Sequence, residues 1–269
     1  MISEDEINEV ESEGFEFTFD YLLKKTKSNE EEIKNKFGDD QRFIEQLFKI
    51  QTEIANKYLR ILLGFPEASN DKTSILLSAY WKNIVSLFAA FELINKGLYG
   101  PSKALIRYSF EYLFLAKYCE ISNDLELLKR WEDGDHRIKL QDHVFNKLKR
   151  PPKEHFELFW RDLCKFSHAT IYSMQIVFEE DKEFDYRISE TYNLIKMILR
   201  CNYHLINSHL VNKQARFYTE YYLPNVKKES KELREQMKEL FNEHGKNLTR
   251  EGKTFIRNYQ LKWSVKVVK

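Results

Sequence analysis

Apolar residues recur at three- and four-residue steps along most of this chain, the spacing that puts them on one face of an α helix. From Asp39 to Leu63 the set is Phe43, Leu47, Ile50, Ile54, Tyr58 and Ile61 or Leu62, and Gly64-Phe65-Pro66 stops it. Asp71, or the Ser69-Asn70 pair, can cap a second helix running through Leu76, Tyr80, Ile84, Leu87, Phe88, Phe91 and Ile94 to Gly97. Its middle is apolar on most sides, which predicts a central helix. Pro101 at a first-turn position opens a third helix over Ser102 to Glu120. Residues 124–150 predict a helix or helix pair interrupted at Gly134, and Pro151-Pro152 resets the chain before a helix from about Lys153 to Met174. Gln175 to Tyr186 reads as a loop or short hairpin, and Ser189 to Val211 as another long apolar helix. Beyond Gln214 the apolar positions thin out, with a polar helix over Lys228 to Glu243 and a basic, aromatic stretch after it.

The fold class predicted is all-α: a multi-helix bundle over residues 39–212, a peripheral N-terminal arm at 1–38 and a C-terminal helical extension at 213–269. The arm is acidic, with no Lys or Arg before Lys24, and suits a solvated, partly helical segment or a cover for a basic groove. Only 8 Gly and 5 Pro occur in 269 residues, too few for a many-turned β sandwich or barrel. The 43 basic and 42 acidic residues nearly cancel, so no global field advertises nucleic acid or membrane, and any such binding must be local. Cys119, Cys164 and Cys201 are far apart in apolar segments, as reduced thiols of a core would be. The first residues lack the pattern of a signal peptide, and no apolar run approaches the roughly 18 residues of a membrane span, so the expectation is a cytoplasmic protein without a membrane partner.

Chemistry concentrates in Phe159 to His168, which sets capable polar side chains into an otherwise aromatic and apolar run. If that run is helical, Arg161 and His168 are seven residues apart and return to one face about 10 Å from each other. They would present a cation and a titratable imidazole to one ligand. Arg107 and Glu111, four apart in an apolar helix, are expected either to pair internally or to orient Arg161 and His168 from a neighbouring helix. Near the C-terminus Arg250, Lys253, Arg257 and Lys262 interleave with Phe255, Tyr259 and Trp263, a mixture that suits phosphates and stacked bases, or else a surface-packed terminal helix. There is no Gly-rich phosphate loop, GxSxG, HExxH or EF-hand pattern, and Glu154 and His155 are adjacent where a carboxylate bundle needs them three apart. No metal or cofactor is expected.

Arg161-Asp162 followed by His168 resembles the R-x4–6-H motif of HEPN-domain ribonucleases, including a polar residue directly after the arginine. Arg130 to His136, Arg137 to His143 and Arg150 to His155 also fit the spacing, but Trp131, Ile138 and Pro151 follow those arginines. Leu105-Ile106-Arg107-Tyr108-Ser109-Phe110-Glu111, with Arg130-Trp131-Glu132 and Ser167-His168 downstream, is also similar to an uncharacterised family of bacterial helical proteins with an L-x-R-S-x-x-E helix. The HEPN resemblance implies a HEPN-like bundle and a metal-independent endoribonuclease, acting as a toxin or phage-defence effector. It implies Arg161 and His168 as catalytic residues with Asp162 positioning them, and Arg107, Glu111 and Ser167 in support. The implied partners are a second copy in a homodimer, RNA, and a neutralising or regulatory protein.

The competing expectation is a non-catalytic helical interaction protein. Under it, Arg107, Glu111, Arg161, Asp162 and His168 form a buried polar network that fixes helix register.

Overall fold

The computed structural model describes residues 18–64, 71–122, 124–135, 137–148, 152–166, 182–209 and 224–260. Among these residues nine α helices occur: α1 (Phe19–Gly64), α2 (Asp71–Asn95), α3 (Tyr99–Ser122), α4 (Leu125–Glu132), α5 (Leu140–His143), α6 (Pro152–Cys164), α7 (Lys182–His209), α8 (Pro224–Asn247) and α9 (Arg250–Gln260). A single 3-10 turn, Phe145–Lys147, follows α5. The all-α expectation holds. Four long helices, α1, α2, α3 and α7, pack on one another; α8 lies on α1, α6 on α3, and α9 bridges α6 and α7.

Helix α1 is longer than its predicted stretch because residues 19–37 also wind into helix. Phe37 breaks the regular dihedrals (φ −122°, ψ 21°) just before Gly38, so the helix bends there. Ile33, in the densely charged first half, is fully buried, and Asn29 reaches the Lys96 carbonyl beyond the end of α2. The α2–α3 turn then needs glycine at 97: its φ is +75°, and a Cβ there would stand 2.4 Å from the Asn29 side chain. Ser102 closes the turn by donating to the Ala90 carbonyl at 2.7 Å.

A polar knot ties α1, α2 and α7 together. Gln51 donates to the Leu199 carbonyl at 3.0 Å and accepts from Asn202 Nδ2 at 3.3 Å, while Asn83 donates to the side-chain oxygen Oδ1 of Asn202 at 3.2 Å. Tyr80 donates its hydroxyl proton to the Gln51 backbone carbonyl. All four side chains are fully buried, so each bond is worth more in register than its modest net energy, because any slip leaves amides without partners.

Helix α2 is central as expected, packed against α1, α3 and α7, and α3 is central with it, buried along most of its length. Helix α2 is, by length and composition, apolar enough over Ser74–Asn95 to cross a membrane, which amends the expectation that no run reaches that length; more than half of it is buried inside the bundle. From α3, Phe114 stacks on Phe110 (ring centroids 4.3 Å apart) and meets Phe156 edge-on at 4.5 Å, with Phe145, Phe255 and Tyr259 around it. Truncation at this hub, Phe114→Ala, is expected to cost about 3–5 kcal/mol, because rings from four elements cannot all collapse into the void. Urea denaturation measures it; a loss under about 1 kcal/mol would mean that these rings do not meet as described.

Candidate functional site at the end of helix α6

Helix α6 begins behind the two prolines and docks through its apolar face. Phe156 and Leu163 are buried, and Phe159 packs at a tilt against Phe255 at 4.8 Å and Phe110 at 5.5 Å. Arg161 and Asp162 lie on the other side and are exposed. Between the two faces stands Trp160, whose indole N–H donates to Glu111 Oε1 at 2.8 Å. The same oxygen accepts from Arg107 Nε at 2.9 Å, and the Arg107 guanidinium sits 5.9 Å from the indole centroid. Arg107 and Glu111 therefore pair internally and clamp the residue next to Arg161. Neither Arg161 nor Asp162 belongs to this network, contrary to the interaction-protein expectation.

The expected helix to Met174 is not what the described residues form. Helix α6 ends at Cys164, and two tighter turns follow, with the Lys165 N–H donating to the Asp162 carbonyl at 3.3 Å and the Phe166 N–H to the Leu163 carbonyl at 3.2 Å. Ser167 and His168 lie outside the described residues, as do His136 and Lys262. The one-face spacing of Arg161 and His168 assumed an uninterrupted helix, and α6 does not supply it.

Phe166 brings the end of α6 onto a charged cluster from α3 and α7. Its ring lies 6.0 Å from that of Tyr99 and 4.3 Å from the Lys103 ammonium, which pairs with Glu190. Burial pushes the Lys103 pKa down; Glu190 opposes the shift, Arg187 adds to it, and Asp162 favours the charged form. Arg187 stacks on Tyr99 at 5.1 Å and donates to the Tyr99 hydroxyl and to Glu183. The Cys164 thiol is half-buried and its pKa is raised by that burial, so it is a poor nucleophile here. Lys103, Arg187 and Glu190 were not legible as site residues, since the contacts that gather them come from chain segments some 87 positions apart.

The rival arginines are engaged in local structure. Arg130 and Arg137 both grip Asp135, at 2.8 and 2.9 Å, and together hold its carboxyl well below the usual range. His143 uses Nδ1 on the Lys139 backbone. Arg161 has no such carboxylate among the described residues; Asp162 turns instead to Lys165 at 2.9 Å.

On α9, Arg250, Lys253 and Arg257 are exposed, but Phe255 and Tyr259 are buried against the Phe114 hub. Those two rings are therefore unavailable for stacking on bases, which corrects the basic-aromatic reading. Trp263 lies outside the described residues. Among the described residues no three His, Cys, Asp or Glu side chains converge as a metal site would require.

The clamp has a measurable consequence. Trp160→Phe keeps an aromatic ring and removes the N–H to a buried carboxylate, so a loss of about 1.5–3 kcal/mol is expected, read from urea denaturation. An unchanged midpoint would show that the indole does not reach Glu111.

No protein-family model, curated protein or solved structure matches this chain.

Proposed function

We propose that this chain is a metal-independent endoribonuclease of the HEPN type, a toxin or defence effector in which Arg161 and His168 act together and Asp162 positions them. The observation that carries the reading is the state of Arg161: an exposed guanidinium without a carboxylate among the described residues, on a helix locked in place by its neighbour Trp160. Every other arginine of the competing R-x4–6-H spacings that is described is held by Asp135.

RNA brings its own nucleophile. The 2′-oxygen bonds to the adjacent phosphorus as its proton passes to a base, and the 5′-oxygen leaves with a proton, giving a 2′,3′-cyclic phosphate and a 5′-hydroxyl. His168 serves the proton transfers because an imidazole titrates near neutrality. Arg161 holds the developing charge on the phosphoryl oxygens with its paired donors. In a homodimer, a second copy doubles this set across a shared cleft, and a neutralising protein would act by covering it.

Incubation of RNA with the protein in EDTA tests the reaction class. Products ending in 2′,3′-cyclic phosphate are expected, and a 2′-deoxy substitution at the cleaved nucleotide should abolish them. Cleavage that persists at the deoxy site, or that stops in EDTA, would exclude this chemistry.

The second reading, a non-catalytic interaction protein, is favoured by Val85 and Phe88, which are 62% and 49% exposed one turn apart on α2. Under it, Val85→Ser/Phe88→Ser disrupts association while Arg161→Ala has no phenotype. The nuclease reading expects the loss at Arg161.

A further inference from the structure

Helix α8 sorts its charges by side. Its apolar seam, Leu233, Met237 and Phe241, is buried. On one flank Glu229, Glu232, Glu239 and Glu243 line a cleft of about 770 Å³ shared with α1, where Lys57 of α1 pairs with Glu229. On the other flank Lys231, Arg234 and Lys238 line a groove of about 380 Å³ shared with α7, and α7 answers with another cation, Arg200. A solvated helix face ordinarily mixes its signs through pairs three and four apart. Among the described lining residues this groove instead gathers four cations and one carboxylate, Glu235, which reaches Lys238 at 3.7 Å.

Arg200 is built into the groove rather than draped over it. Its guanidinium lies 4.9 Å from the Phe241 centroid and donates Nη1–H to the Phe241 carbonyl at 3.2 Å, while its buried Nε has no hydrogen-bond partner among the described residues. Like charges collected across an interhelix groove repel one another, and an anion between them removes the repulsion. Lys231, Arg234 and Lys238 stand three and four positions apart, so they step about 4.5 and 6 Å along α8, a spacing that successive phosphates of one strand can follow. At its edge His204 meets Gln260, the last residue of α9, the helix on which Arg250, Lys253 and Arg257 are exposed.

We propose that the α7–α8 groove binds the phosphate backbone of single-stranded nucleic acid through Arg200, Lys231, Arg234 and Lys238. Arg200 is thirteen residues from Arg187, so the groove lies about 20 Å along α7 from the charged cluster at the end of α6. It is a holding surface, separate from the candidate catalytic residues, and binding there does not require cleavage.

The test is fluorescence anisotropy of the full chain with a labelled 2′-O-methyl oligonucleotide, which lacks the free 2′-hydroxyl and cannot be cut, across a range of salt. Four phosphate contacts give a slope of log K against log salt near about −3, at about −0.7 per contact on a single strand. Lys231→Gln/Lys238→Gln, both exposed positions, should flatten the slope by about 1.4 and weaken low-salt binding roughly tenfold or more. Lys49→Gln removes the same kind of charge from the acidic cleft on the opposite flank and should change neither. No binding at low salt, equal binding by the double variant, or retention of inorganic tripolyphosphate without the oligonucleotide would each overturn the proposal. A failure of RNA cleavage would leave this result untouched, because the probe is uncleavable.

Discussion

Acidifying the protein from pH 7 to pH 4 is expected to remove on the order of 6 kcal/mol of folding free energy, about 3 from each of two histidines. His204 and His244 both have their pKa pushed down from 6.5 to about 4, burial being the largest cause in each. Arg200 and Lys117 add to the shift at His204; Lys196 and Arg200 add to it at His244, where Asp40 opposes them. The His244 ring packs against Phe43 at 5.5 Å, and neither of its nitrogens has a partner among the described residues. Above the unfolded value both imidazoles are neutral in either state and their contribution is intact. As the pH falls below 6.5 the unfolded chain takes up protons that the folded chain refuses, and stability drains until the folded value near 4 is passed. Unfolding free energies from urea titrations across this range should fall by up to about 1.4 kcal/mol per pH unit for each histidine. His244→Leu should remove about half of that dependence. A midpoint that is level from pH 7 to pH 5 would contradict the buried, neutral placement.

Arg161→Ala is expected to reduce RNA cleavage by about 10²- to 10³-fold, the usual loss when one donor to a developing oxyanion is removed. Its folding stability should stay within about 0.5 kcal/mol of the parent, because the side chain is exposed and supports no packing. Arg161→Lys should restore part of the rate, since it returns the charge without the planar fork. The separation of the two readouts is what distinguishes Arg161 from Arg107, whose loss would strand Glu111 and register first as instability.

The long helices were legible wherever a stop signal and a periodic run coincided. Helix α2 begins at Asp71, where the capping signals lie, and stops before Gly97, which adopts a left-handed turn that a side chain would obstruct. The start of α1 was not legible, because its dense charges hide the few inward positions such as Ile33. At α9 the pattern carries both expectations, and the structure follows the packed terminal helix: Phe255, Ile256 and Tyr259 fall on one face and serve the core, while their basic neighbours stay exposed. Within the site, Arg107 and Glu111 could be paired from their four-residue spacing, but Trp160 comes from 49 positions away, and no local rule announces such a partner. The Gln51–Asn83–Asn202 knot escapes for the same reason. Local periodicity predicts which face of a helix is buried; which polar side chains meet inside is settled only by the packing of all helices together.

The most direct test of the nuclease account is one cleavage assay, run in EDTA on wild type, His168→Ala and His136→Ala after confirming that all three melt alike. Wild type and His136→Ala are expected to cut RNA equally, and His168→Ala to lose about 10²- to 10⁴-fold, the range for removing one proton-transfer group. Equal losses at both histidines, or an inactive wild type on every RNA supplied, would contradict it and leave the chain a helical interaction protein.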